Sequence, residues 1–224
     1  MSSLAHTGAS NCPIIVFGCG GHAAVVIEAL KASGAKLLAA ADDDLAKVGK
    51  HIAGLEIIGN REAVRAHEPS TVLLANGIGS KGNPRDREAL FEWFKQEGYE
   101  FVTVVHPSTV IASDVELGEG VQIMAGAVIQ PRCRIGENSI INTRAGIDHD
   151  GRIGRHVHVA PGATVCGDVS VGDGCHVGAG ATVIQGVRLA ASCIVGAGAV
   201  VVSSWTEPVV LCGIPAKPQD KHAT

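Results

Sequence analysis

From Ile111 to Val201, every sixth residue is Ile, Leu or Val, sixteen positions in succession without a slip. The run begins Ile111, Leu117, Ile123, Ile129 and closes Leu189, Val195, Val201. Two residues before many of these stops stands a small side chain, as at Ala127, Cys133, Ala145, Ala163, Cys175, Ala181 and Ala199. In a strand, residues i and i−2 share a face, so both would point inward and the residue between them outward. Gly118, Gly136, Gly154 and Gly172 add a second period of eighteen, three times six. One coil would then hold three short strands and three corners, with glycine relieving the corner that needs an unusual backbone angle. The expected fold is a triangular parallel β-helix of a little over five coils, from about His106 to Val201. A single coil cannot bury its own interior, so the stack supplies the core. A glycine-rich β-sandwich would not keep a six-residue register through sixteen steps.

Residues 1–105 follow another rhythm. Pro13–Gly18 is an apolar run ending in glycine, His22–Ser33 has helical periodicity with Gly34 as a stop, and Lys36–Ala41 is a second apolar run ending in three aspartates. Thr71–Ala75 reads as a third strand, and Phe101–Val105 as a fourth. Pro84–Glu97 reads as an amphipathic helix with Leu90, Phe91 and Phe94 on one face. Alternating strands and helices imply a small α/β, Rossmann-like domain over 1–105 with a parallel sheet. The β-helix and its C-terminal tail would fill 106–224.

Gly18-Cys19-Gly20-Gly21-His22-Ala23 matches G-x-G-x-x-[G/A] between a strand and a helix, with Asp42 about twenty residues on. Glycines let backbone approach a pyrophosphate, and a helix N-terminus offers N–H groups and partial positive charge. The pyrophosphate would sit over Gly20, Gly21 and His22, with Asp42 or Asp43 toward the nucleoside. About four strands are fewer than a full dinucleotide fold needs, so a nucleotide-diphosphate ligand fits better than NAD. The plain alternative is a glycine turn that only packs helix on strand.

His149 lies just past an inward aliphatic stop, hence near a corner, between Asp148 and Asp150. An acid bonded to a histidine fixes its tautomer and raises its basicity, which suits a general base. The spacing does not decide which aspartate does this, and a solvated polar corner is the plain alternative. His158 stands just before Val159 and points outward, with His176 one coil further on the same face. His149 and His158 are half a coil apart and so lie on different sides of one prism. They could meet only across an interface, as in a symmetric trimer. Outward histidines also raise a metal reading, but the H-x-x-x-x-H pair of hexapeptide carbonic anhydrases is missing, and no metal is expected.

Composition narrows the classes. Aromatics are 3% and glycines 29, as expected of closely stacked backbone, and a net charge of −4 argues against nucleic-acid or anionic-membrane partners. Seven cysteines without a C-x-x-C suggest reduced thiols in a cytoplasmic protein. The N-terminus shows no export signal, and no apolar run reaches the length of a membrane span.

The hexad pattern resembles the hexapeptide-repeat family, whose β-helix is left-handed. Residues Pro13–Lys217 resemble the bacterial sugar acetyltransferases within it, which include sialic acid O-acetyltransferase and nucleotide-linked 4-amino-sugar N-acetyltransferases. Three features carry the resemblance: the G-C-G-G-H-A loop, the D-H-D within Asn142–Asp150, and Gly213-Ile-Pro-Ala-Lys217 after the last coil. It implies acetyl transfer from acetyl-CoA to the amine of a UDP-, GDP- or dTDP-linked 4-amino-4,6-dideoxy sugar. His149 would be the general base with Asp150 its partner, where some relatives carry Glu. His158 would contact the thioester or pantetheine, backbone at Gly167 and Ala197 would line the pantetheine, and the tail to Lys217 would lie near the nucleotide end of CoA. Gly20, Gly21, His22, Asp42 and Asp43 would hold the sugar nucleotide, and the assembly would be a homotrimer. The rivals are an O-acetyltransferase on a free sugar such as sialic acid, a nicotinamide-dependent enzyme, and a non-catalytic trimer scaffold.

Overall fold

The structure, a computed structural model, describes residues 12–80 and 84–219. The segment read for an export signal, residues 1–11, lies outside them. The chain divides into two compact units, one of residues 1–79 with 85–107, the other of 80–84 with 108–224.

In the first unit, β1 (Ile14–Phe17) runs into α1 (Gly21–Ala32) and back to β2 (Leu37–Ala41). A hairpin, β3 (His51–Ile52) with β4 (Leu55–Glu56), and a short helix, α2 (Arg61–Arg65), precede β5 (Leu73–Asn76) and α3 (Arg85–Gln96). The sheet has three parallel strands in the order β2-β1-β5. Here the sequence expectation of about four strands needs correcting. Of Phe101–Val105, Phe101 only bridges Leu74, and a two-residue strand forms at Val104–Val105. The hairpin and α2 carry no apolar period long enough to announce them.

All four residues of β1 are buried, which requires cover on both faces. Ile15 and Phe17 pack into one cluster with Leu90, Phe91 and Phe94 of α3, Tyr99 and Phe101. Ile14 and Val16 point the other way by strand alternation, and α1 buries Ala23, Val26, Ile27 and Leu30. Each fully buried aliphatic or aromatic side chain contributes about 1.5–3 kcal/mol of transfer free energy.

The second unit is a parallel β-solenoid. All sixteen stops read from the sequence are the second residue of a two-residue strand, from Val110–Ile111 to Val200–Val201. Each pairs in register with the strand eighteen residues away, as Val128 with Gly146 and Ile129 with Ile147. The strands form three sheets. The first face contains Val110–Ile111, the second Glu116–Leu117 and the third Gln122–Ile123. The stops and their small i−2 partners fill the interior: Ile129, Ile147, Val165 and Val183 are at most 1% exposed, as are Ala127, Ala145, Ala163 and Ala181. After Val201 the hexad breaks. Val210–Cys212 rejoins the third face beside Ile194–Val195, and Lys217–Pro218 turns back antiparallel to it.

The role read for the eighteen-spaced glycines also needs correction. None of Gly118, Gly136, Gly154 and Gly172 has a positive φ. They are small because the next coil's backbone is close: a Cβ on Gly136 would lie 2.5 Å from Gly154 C and 2.7 Å from Arg155 N. The left-handed corner residue is instead every sixth residue from Gly120 to Gly198, and it includes Arg132, Asn138, Arg144, Asp150, His156, Asp168 and Ser192.

Glycine at Gly146 has no such reason, since its φ is not positive and a Cβ there meets nothing within 4 Å. Gly136→Ala is therefore expected to cost about 1–3 kcal/mol through backbone collision. Gly146→Ala should be neutral, or stabilising by up to about 1 kcal/mol, through reduced unfolded-state entropy. Urea midpoints of the two variants check the contrast.

Candidate active site

The corner after Gly146–Ile147 holds Asp148, His149 and Asp150. Asp148 Oδ1 accepts the His149 backbone N–H at 2.8 Å and so shapes the turn. Asp150 has φ +62°, a conformation Asp tolerates better than most residues. From there its Oδ2 lies 2.8 Å from His149 Nδ1. The structure thus selects Asp150 over Asp148 as the imidazole's partner, and the aspartate side chain is long enough. Hydrogen bonds from Arg132 first, then from His149, hold the Asp150 carboxyl well below the usual carboxylate range. An ionised carboxylate has no proton to give, so Nδ1–H is the donor and a neutral His149 keeps its lone pair on Nε2. The ring is half exposed.

Gly167, the same corner one coil on, borders this ring. A Cβ there would lie 2.7 Å from both Cε1 and Nε2 of His149. The Asp168 backbone N–H donates to His149 O at 2.9 Å, tying the two corners together. Ala197 is exposed at the corner that follows the third face, so within one chain it and Gly167 lie on different edges. Lys217 is exposed in the last strand, paired with Cys212.

His158 faces outward on the third face as expected, yet it is only 7% exposed. Its Nδ1 lies 3.0 Å from Ser80 Oγ and its Nε2 3.0 Å from Asn142 Nδ2. Asn142 Oδ1 accepts the Thr143 N–H at 2.8 Å, which fixes the amide with its nitrogen toward His158. His158 therefore accepts at Nε2 and donates from Nδ1 to Ser80, whose hydroxyl can donate to His176 Nδ1 at 3.2 Å. His176 pairs with His158 in register, their rings edge to face at 5.0 Å, and burial pushes His176 below its usual value. His149 and His158 stand on different sides of the prism, as their spacing requires. Ser80 and Asn142 escaped the sequence reading. Asn142 directly follows the stop Ile141, so its place at a corner is legible, but nothing in the sequence brings Ser80 here.

In the first unit, Gly20 caps α1 without a side-chain bond, and no acid stands in the first turn. Gly20 and Gly21 are exposed, and a Cβ on either meets nothing within 4 Å. Packing therefore does not demand glycine at these two positions. It does at Gly18, where φ is +96° and a Cβ would lie 2.8 Å from Ile78 Cγ1. Gly77 N–H donates to Phe17 O at 2.6 Å. Behind that contact, Arg87, 1% exposed, donates from Nη1 to Asn76 O and Ile78 O. Burial pushes Arg87 down to about 9. A buried arginine in an amphipathic helix is hard to foresee, because its cover comes from elsewhere in the chain.

His22, half-buried in α1, packs against Gly79. Asp42 braces the glycine loop: its Oδ2 accepts the Cys19 N–H at 2.7 Å and lies 2.9 Å from Lys47 Nζ, while Oδ1 accepts the Asp44 N–H. Burial opposes ionisation, but these bonds, led by Lys47, hold Asp42 below its usual value. Asp43 is exposed and pairs with Arg61 at 3.1 Å. Among the described residues no helix is long and apolar enough to cross a membrane.

A glycine-loop α/β unit joined to a hexapeptide solenoid, with a histidine–carboxylate pair on one corner, defines a class of hexapeptide-repeat transferase. Residues 13–94 match the PglD N-terminal domain. Residues 114–149 and 150–185 match the bacterial transferase hexapeptide (six repeats), and 168–203 the hexapeptide repeat of succinyl-transferase. A GDP-perosamine N-acetyltransferase from Caulobacter crescentus, solved with CoA and GDP-perosamine, is 37% identical over 95% of this chain and 99% of that one, with TM-score 0.87. The acetyltransferase domain of PglB from Neisseria gonorrhoeae is 29% identical over 93% and 100%, with TM-score 0.86. WeeI from Acinetobacter baumannii is 25% identical over 93% and 100%, with TM-score 0.83. No curated protein sequence matches. The chain belongs to the hexapeptide-repeat sugar acetyltransferase family.

Asp42 is lowered on folding, so its contribution to stability is complete above its ordinary value of 3.8 and fades as pH falls through the lower folded value. Asp42→Ala should lose about 1–3 kcal/mol at pH 7, the scale of hydrogen bonds to a charged group. The gap to the unmodified chain should narrow below about pH 4 in chemical denaturation series.

Proposed function

We propose that this protein transfers an acetyl group from acetyl-CoA to the amine of a nucleotide-linked 4-amino-4,6-dideoxy sugar. The observation that carries the reading is the Asp150-oriented imidazole of His149, its Nε2 lone pair available, on a chain similar end to end to a GDP-perosamine N-acetyltransferase. The PglB domain, solved also with acetyl coenzyme A, supports the same donor.

The sugar amine attacks the thioester carbonyl while His149 Nε2 accepts its proton. The tetrahedral intermediate then expels the CoA thiolate, and the proton held on His149 Nε2 passes to it, directly or through solvent, so that CoA leaves as the thiol and the imidazole is neutral again. Asp150 stays ionised and stabilises the imidazolium. No acyl-enzyme is required. Three cysteines are poor nucleophiles here: burial, with the Asp42 charge, pushes Cys19 up to about 11, burial pushes Cys175 up to about 12, and burial also raises Cys133.

Backbone at Gly20, Gly21 and His22 takes the pyrophosphate, with the loop braced by Asp42 and with Asp43 near the nucleoside. The glycines whose absent side chains no packing explains support this. On the donor side we assign His158, Gly167, Ala197 and Lys217 to acetyl-CoA. For His158 the contact is one of the ring, since Ser80 and Asn142 engage its nitrogens. The split of His149 and His158 between sides of the prism favours a homotrimer in which adjoining copies complete each donor site. We place the protein in the cytoplasm, where its seven thiols stay reduced.

His149→Ala should lower kcat by roughly 10²–10⁴-fold with a smaller change in KM. Assays would pair acetyl-CoA with UDP-, GDP- and dTDP-linked amino sugars and with free sialic acid, and wild-type kcat in the variant would refute the assignment. Sedimentation equilibrium should report three chains per particle, and a fully active monomer would sink the shared-site reading.

A further inference from the structure

We propose that Arg132, one coil before the His149 corner, is a positioning residue: its guanidinium fork fixes the Asp150 carboxylate and, through it, the tautomer and aim of the His149 ring. The proposal rests on the general-base reading of His149 and goes beyond it to what holds that base in place.

Arg132 Nε lies 2.7 Å from Asp150 Oδ1, and Nη2 lies 2.8 Å from Oδ2. The pair is bidentate, so it fixes the carboxylate plane as well as its distance. Oδ2 is the same oxygen that takes the His149 Nδ1–H at 2.8 Å. Three groups on two coils are therefore joined through one carboxylate.

The backbone supports the arrangement. Arg132 and Asp150 occupy the left-handed position of successive corners, with φ +61° and +62°, so their side chains leave the solenoid side by side. Asp114, one coil earlier, accepts the Arg132 backbone N–H at 3.1 Å and shapes that corner in turn. The left-handed conformation is unfavourable for arginine and free of that cost for glycine, which fills the same corner at Gly186. An exposed ion pair returns little stability. Stability alone gives little reason for arginine at this corner, whereas orientation of the imidazole does. Gly167 borders the ring on the other side, so its position is bounded by Asp150 and by the next coil.

The test compares the unmodified chain with Arg132→Ala and Arg132→Lys. Nitrogen-15 NMR of the His149 ring should show one Nδ1–H tautomer in the unmodified chain and a mixture in Arg132→Ala. Thermal midpoints should stay within a few degrees. In Arg132→Ala, kcat should fall roughly tenfold or more, toward the ~10²-fold that a misplaced catalytic group costs, with KM within about twofold. Added guanidinium should restore part of it, and lysine should restore less than arginine because it lacks the fork. An unchanged tautomer in Arg132→Ala overturns the proposal, whatever happens to kcat. An unchanged kcat in a chain where His149→Ala is inactive also overturns it. If His149→Ala stays active, the general-base reading fails, and the NMR measurement alone decides whether Arg132 orients the ring.

Discussion

Everything in the solenoid depends on one hydrogen-bonded spacing, each coil's backbone lying on the next with a period of eighteen residues. That spacing is why Gly136 and Gly154 admit no Cβ, and why one short strand can stack in register on the next through five coils. It also makes corners equivalent. Residues 132, 150 and 168 occupy the same place on successive turns, so a side chain at one can be supported by its neighbours above and below. The catalytic candidate uses this directly. Its histidine is bordered by Gly167 above and joined through Asp150 to Arg132 below.

The first unit meets a different constraint. A three-stranded parallel sheet must be covered on both faces, and α1 and α3 do this. Covering the sheet leaves the N-terminus of α1 exposed beside Gly18–Gly21, with Asp42 and the Asn76–Ile78 turn bracing the loop. Asp42 is thereby engaged by the loop itself and by Lys47. The acid that a nucleotide fingerprint calls for is here also the acid that holds the loop, and Asp43 is the more exposed of the two.

Periodicity made much of this legible. A six-residue repeat needs no distant contact to be read, and each of its sixteen stops became a strand. The two-period glycines were found by the same means, but their purpose was not. Sequence spacing cannot tell a position that needs an unusual φ from one pressed against a neighbouring coil. Gly136 is of the second kind, and Asp150 and Arg132 are of the first. At the site, the D-H-D triplet named the histidine but left two candidate acids, since both are adjacent in the chain. Only the turn geometry turns Asp150 toward Nδ1 and Asp148 toward the backbone.

What the sequence determined by itself was the solenoid and the glycine loop between strand and helix, because each is written in local spacing, and it marked His149 as a candidate at one corner. Tertiary structure decided which carboxylate serves that histidine, that Arg132 grips it, that Gly167 makes room for the ring, and that Ser80 and Asn142 engage His158. Those partners lie from one to seventy-eight residues away along the chain. They are selected by the direction each side chain leaves its corner, a property of backbone angles and stacking that residue order does not carry.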